Sequence, residues 1–260
     1  MTQSSPRTRQ CGPSLGWRGA HRCASSTLRR ALGKHPVKVL ERERTLMRIV
    51  VFGSGGKVGR LLVPLLVQAG HDVVGVIHRE ASADVVRSAG AQPVVVDLEG
   101  DDGPVREVLA GADAAVWTAG ADVMTGPEHS DRLDRDGCLR AIAAAAEVGV
   151  NWWVQVSSLY ADRIDIAPPV LQHFLGNKAA GDAAAAASGM TWTVVRPGGL
   201  LEDAGTGLVD IAAEGMGQAR ITRADTALVI STLLSAGLAK NTAFDLGAGS
   251  TPVEQALNLL

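Results

Sequence analysis

Short apolar runs alternate with segments of helical period along most of the chain. Arg48–Gly53, "RIVVFG", is apolar throughout, as expected of a strand buried on both faces. Lys57–Gly70 follows with helical spacing and a terminal glycine suited to a C-cap; Pro64 inside it predicts a kink or a missing backbone bond. The same alternation predicts strands at 71–79, 91–98, 112–120, 150–158, 190–198 and 242–247. It predicts helices at 83–90, 103–111, 131–149, 170–189 and 223–236. Strands separated by single helices predict an α/β fold, a doubly wound parallel sheet of the Rossmann type, with one domain over residues 47–260.

Composition divides the chain. Residues 1–46 hold ten Lys/Arg and two Asp/Glu, whereas 47–260 hold 15 Lys/Arg and 25 Asp/Glu. The basic segment is Ser- and Arg-rich and lacks the apolar centre of a secretory signal. It reads as a transit peptide or as an over-long start with translation beginning at Met47. The position of Met47, one residue before the first strand, favours the second reading. In either case residues 1–45 are expected to be disordered. The net charge of −2 gives no electrostatic case for nucleic acid. No apolar run reaches the roughly 18 residues of a membrane span. Cys11, Cys23 and Cys138 form no disulfide framework, so a reducing, cytoplasmic setting is expected. Cys138 reads as a small buried apolar residue.

The first strand ends in "GSGGKVG": Gly53, Ser54, Gly55, Gly56, Lys57, Val58 and Gly59. The spacing G-x-x-G-x-x-G between a buried strand and a helix is the setting a dinucleotide phosphate requires. Glycines let the backbone approach a pyrophosphate, and the helix N-terminus offers free N–H groups. The second strand ends in His78 and Arg79, followed by Glu80. A carboxylate there suits the ribose 2′-OH of NAD and an arginine the 2′-phosphate of NADP. Arg79 points to NADP, and Glu80 keeps NAD open.

The body resembles the short-chain dehydrogenase/reductase superfamily, in its atypical NAD(P)-binding branch that includes NmrA-like and epimerase-like proteins. The motifs that carry the likeness are "GSGGKVG", "VDL" at 96–98, "TAG" at 118–120, "DRDG" at 134–137, "VSS" at 156–158, "VVRPGGL" at 194–200 and "TRAD" at 222–225. The resemblance implies Asp97 and Leu98 beside the adenine, and Ala119 and Gly120 beside the ribose–nicotinamide half. It implies Ser157, Ser158, Pro197 and Gly198 near the nicotinamide, and Lys178 on the ribose.

The family pairs that Lys with a Tyr four residues earlier, where this chain has Phe174. A phenyl ring transfers no proton. The remaining candidates are Tyr160, His173 (matching a His on the substrate side in a flavin and bile-pigment reductase of the branch) and water. His129, Asp131, Asp134 and Asp136 read as loop and helix-start charges and not as metal ligands. Trp152 and Trp153 read as core and strand-edge packing.

An NAD(P)-dependent oxidoreductase or epimerase-like enzyme acting on a small molecule follows. The alternative is a non-catalytic NADP(H) sensor of the NmrA-like kind.

Overall fold

Both faces of the first strand are covered, which explains its unbroken apolar run. In β1 (Arg48–Phe52), Ile49 and Val51 enter one core cluster while Val50 and Phe52 enter the other. The computed structural model describes residues 46–213 and 215–260; the expected basic leader lies outside the described residues.

The βα units are β1–α1 (Gly59–Gln68), β2 (Asp72–Ile77)–α2 (Ala83–Ser88) and β3 (Gln92–Val95)–α3 (Gly103–Leu109). Then β4 (Ala114–Trp117) leads to α4 (Pro127–Ser130), a π-helical turn (Asp131–Gly137) and α5 (Cys138–Glu147). Next come β5 (Trp152–Val156), α6 (Pro169–Ala187), β6 (Thr191–Pro197) and two short strands, β7 (Gly199–Leu201) and β8 (Leu208–Ala212). The chain continues through β9 (Arg220–Thr222), α7 (Arg223–Ala236), β10 (Thr242–Ala248), β11 (Thr251–Pro252) and α8 (Val253–Leu257).

The main sheet has nine strands in the order β11-β8-β10-β6-β5-β4-β1-β2-β3. From β3 to β10 every pair is parallel; β8 runs antiparallel to both β10 and β11. The expected parallel sheet therefore gains an antiparallel margin. β7 and β9 form a separate parallel pair. Pro93 lies in β3, the edge strand that tolerates a missing amide donor.

Leu62 and Leu66 of α1, Val86 of α2 and Ile230 and Leu233 of α7 pack on one face, while Val108 of α3, Ile142 of α5 and Ala185 of α6 pack on the other. α1 runs through Pro64, whose missing N–H leaves one helical bond unmade.

Trp152 and Trp153 occupy a central strand and are 5% and 0% exposed, on opposite faces, so neither lies at a sheet edge. Trp153 meets Trp117 and Phe52 at ring-centroid distances of 6.2 and 6.1 Å. Cys138 is fully buried, and loss of solvent pushes its thiol up to about 12. No helix among the described residues is long and apolar enough to cross a membrane.

Candidate functional site

The glycine loop leaves β1 with Gly53 in the left-handed region, φ +77°. The amides of Gly53 and Ser54 both donate to the Val76 carbonyl of β2, at 3.1 and 3.0 Å, and Gly56 N–H donates to Gly53 O at 2.8 Å. The amides of Gly55, Lys57, Val58 and Gly59 donate to no group among the described residues. Four N–H groups without partners in the loop and at the start of α1 could hold an anion. A Cβ on Gly59 would fall 2.7 Å from Ser54 Cα, so only glycine lets the helix start this close to the strand.

Two loop residues differ from expectation. Ser54 is fully buried and its hydroxyl donates to Val76 O at 2.9 Å; having no lone pocket-facing donor, its side chain braces β2 instead of facing a ligand. Val58 is 8% exposed and belongs to the core, leaving only its amide for the cradle. Lys57 is exposed and its ammonium lies 3.3 Å from Glu202, which also takes Arg223 at 2.9 Å.

At the end of β2, His78 and Arg79 are exposed; the Arg79 carbonyl accepts the Ser82 amide at 3.1 Å, and neither side chain has a polar partner among the described residues. Glu80 is held by Arg87 at 3.0 Å. Beyond β3, Asp97 is exposed and accepts the Glu99 amide at 2.9 Å, and the Leu98 carbonyl accepts Arg140 at 2.9 Å. Beyond β4, Ala119 is buried and Gly120 exposed.

The next layer comes from α6 and the π turn. Lys178 is 5% exposed, and its ammonium sits 2.7 Å from the Asp134 carboxylate and 3.5 Å from Ala119 O. Asp134 is fully buried and also accepts Ser130 Oγ at 2.9 Å and the Ala121 amide at 3.2 Å. It is thus no helix-start surface charge, as "DRDG" alone suggested; the π turn rotates it inward against α6. π turns of this kind recur at functional sites. Phe174 flanks the same ammonium, 5.5 Å from its ring centroid.

His173 faces the π turn as well. Its Nε2 lies 2.7 Å from Asp131, which also accepts Asn177 at 2.8 Å. The Asn177 amide, and after it the His173 ring, hold the Asp131 carboxyl below the usual range. Among the described residues no group of three or more His, Cys, Asp and Glu is arranged to hold a metal.

The two serines are not equivalent. Ser157 is 6% exposed and its hydroxyl donates to Asp182 of α6 at 3.0 Å. Ser158 is half-buried, and its hydroxyl has no partner among the described residues. Pro197 and Gly198 are buried at the end of β6: Pro197 O accepts the Leu159 amide at 2.9 Å, and Gly198 N–H donates to Leu246 O at 2.9 Å.

Asp182 also accepts Arg196 at 3.1 Å, yet burial pushes its carboxyl up to about 6, above the ordinary 3.8. Between those two values the folded chain binds more protons than the unfolded chain. Stability therefore falls as pH rises through that window. Asp182→Asn is expected to remove that slope, worth about 3 kcal/mol between pH 4 and 7. Denaturant midpoints of both proteins at the two pH values measure it, and equal slopes would refute it.

Asp131, Asp134, Asn177, Asp182 and Arg196 were not singled out by pattern as site residues. Their partners lie on other elements, and the one local signal was "DRDG" beside the long helix.

Comparisons with known proteins identify the family. The model of a family described as NAD(P)H-binding matches residues 53–236. A Bacillus subtilis (strain 168) protein described as an uncharacterized sugar epimerase, YhfK, is 34% identical over 215 residues, covering 82% of this chain and 100% of that protein. A Bacillus halodurans structure, provisionally described as an NAD-dependent epimerase/dehydratase, is 31% identical with a TM-score of 0.78 and covers 82% of this chain and 100% of its own. A short-chain dehydrogenase/reductase from Veillonella parvula in complex with NADP shares the fold at 14% identity, TM-score 0.63, over 80% of this chain and 97% of its own.

Proposed function

This chain belongs to the NAD(P)H-binding family, with an oxidoreductase- and epimerase-like kinship, and from that premise we propose that it is an NADP(H)-dependent enzyme acting on a small carbonyl or conjugated substrate. The observation that carries the reading is the set of four amides in the loop and at the N-terminus of α1 that have no partner among the described residues, above the left-handed turn at Gly53. That cradle suits a pyrophosphate: it supplies fixed donors, a partial positive charge and no side chain in the way. A bound nicotinamide would supply or accept hydride at its C4.

The chain's own residues would do the rest. Arg79, exposed and with its side chain unpaired among the described residues, would take a 2′-phosphate, while Glu80 is already engaged by Arg87 and competes poorly for a ribose hydroxyl. Asp97 and Leu98 would border the adenine, and Ala119, Gly120, Pro197 and Gly198 the nicotinamide half. The Ser158 hydroxyl, without a partner among the described residues, would orient a substrate oxygen, while Ser157 is committed to Asp182. Lys178 would act on the ribose only by leaving or sharing Asp134.

Arg79→Glu tests it. A charge-assisted bond to phosphate is worth about 1.5–3 kcal/mol. The variant should therefore bind NADPH roughly 10–100-fold more weakly, with little change for NADH. Fluorescence titration measures both, and a variant that still preferred NADPH would refute the assignment. A sensor that binds coenzyme without turnover is the second reading. It is favoured by Phe174 at the usual Tyr position and by the ion pair that holds the Lys178 ammonium on Asp134.

A further inference from the structure

Tyr160 is the chain's sole tyrosine and holds a left-handed backbone, φ +73°. For a bulky side chain that conformation is costly, about 1–2 kcal/mol, and persists only where the surroundings enforce it. They do so here on both sides. Before it, the Leu159 amide is bonded to Pro197 O of β6 at 2.9 Å. After it, Asp162 is gripped by Arg196 of β6 at 3.0 Å. Arg163 is gripped in turn by the fully buried Asp245 of β10, and it donates to Met216 O at 3.1 Å. The Arg163 guanidinium lies 5.4 Å from the Tyr160 ring centroid. The ring is half-buried, and its hydroxyl has no partner among the described residues.

A strained residue held between ion-paired neighbours, with its hydroxyl left open to solvent, is a poor structural choice and a good functional one. Its place agrees. It lies just past the C-terminal end of β5, two residues beyond Ser158, on the sheet edge where the glycine loop also lies. Of the other candidate proton carriers, Ser157 is bonded to Asp182 and Lys178 to Asp134, while His173 lies on α6, paired through Nε2 with Asp131 of the π turn. Phe174 has no proton to give.

We propose that the Tyr160 hydroxyl is the group that exchanges a proton with the substrate oxygen, and that Arg163 is the positioning residue that fixes its ring. This rests on the NADP(H)-dependent reading above. For a carbonyl reduced with hydride from a nicotinamide, the C=O π pair closes onto oxygen, and that oxygen takes the phenolic proton. Water then restores the proton to the Tyr160 oxygen. Oxidation of the alcohol runs the same transfers backwards.

The test uses the full chain. Because there is one tyrosine, ring-labelled tyrosine gives NMR signals from Tyr160 alone. With NADP⁺ bound, adding the members of a panel of quinones, flavins and aldehydes should shift those signals for at least one member. Tyr160→Phe should lower kcat for NADPH oxidation by roughly 100-fold or more while leaving NADPH affinity and melting temperature unchanged. Tyr160→Gly should melt no lower than the wild type, because glycine adopts the left-handed turn freely. Ring signals indifferent to every panel member would overturn the proposal, as would a Tyr160→Phe enzyme with undiminished turnover. A wild-type chain that fails to bind NADPH overturns the coenzyme reading and this inference with it. Binding with an indifferent Tyr160 overturns this inference alone.

Discussion

Gly53→Ala should abolish coenzyme binding and lower the unfolding free energy by roughly 2–4 kcal/mol, the sum of a left-handed penalty and an overpacking penalty. The backbone at Gly53 has φ +77°, and a Cβ there would lie 2.6 Å from Ala119 N, 2.7 Å from Ala119 Cα and 2.9 Å from Thr118 C. All three are backbone atoms of the segment leaving β4, so no rotamer change makes room. The strand end must part from β4, and the free amides at the start of α1 move with it. Gly56→Ala is the control. Its Cβ would meet only Gly53 O, at 3.0 Å, in an otherwise open loop. It should remain folded and weaken coenzyme through the loop surface alone. Denaturant midpoints together with NADPH titrations separate the two effects. A Gly53→Ala protein with wild-type affinity would show that the turn is not a coenzyme cradle.

Asp134→Asn carries the second large effect. The Asp134 side chain is 0% exposed and that of Lys178 6%, with 2.7 Å between charges. Removing one partner of a buried ion pair strands the other, at a cost of about 3–5 kcal/mol. Asp134→Asn should lose that much stability, since its amide keeps the approximate shape but not the charge. Replacing both residues, as Asp134→Leu with Lys178→Met, should recover most of the loss, because two apolar groups leave no ion to solvate. Urea denaturation of the single and double variants measures the coupling. A single variant as stable as the wild type would mean that Lys178 reaches solvent or another anion.

Local pattern carried much of the fold. The seven strands of the parallel region, β1 to β6 and β10, and the helix at 223–236 follow from apolar runs and their end signals. That helix begins at Thr222, whose side chain accepts the Asp225 amide, and ends at left-handed Gly237, a cap at each end. The helix expected at 131–149 begins in fact at Pro127 and passes through a π turn. One extra residue per turn shifts side chains without leaving a mark in a 3.6-residue period, which is why Asp134 read as a surface charge. β7, β8, β9 and β11 are two to five residues long and partly exposed, too short for alternation to stand out.

In the site the same division holds. The glycine turn is contiguous in sequence, so its geometry was legible. The inward turn of Ser54, whose hydroxyl donates to Val76 O of the neighbouring strand, leaves no mark in the loop's own sequence. The pairs Asp134–Lys178, Asp131–His173 and Asp182–Ser157 each join distant segments, and a single sequence does not reveal which segments meet. The left-handed backbone of Tyr160 has no composition signal either, since tyrosine is not a residue that turns of that hand prefer.

The central claim is that the turn and helix start at Gly53–Gly59 hold the pyrophosphate of a nicotinamide coenzyme. Titrating the purified chain with NADPH and with NADH, followed by coenzyme fluorescence, tests it most directly. The expected result is saturable binding of one coenzyme per chain, tighter for NADPH than for NADH and lost in Gly53→Ala. Absence of saturable binding by either coenzyme would contradict it.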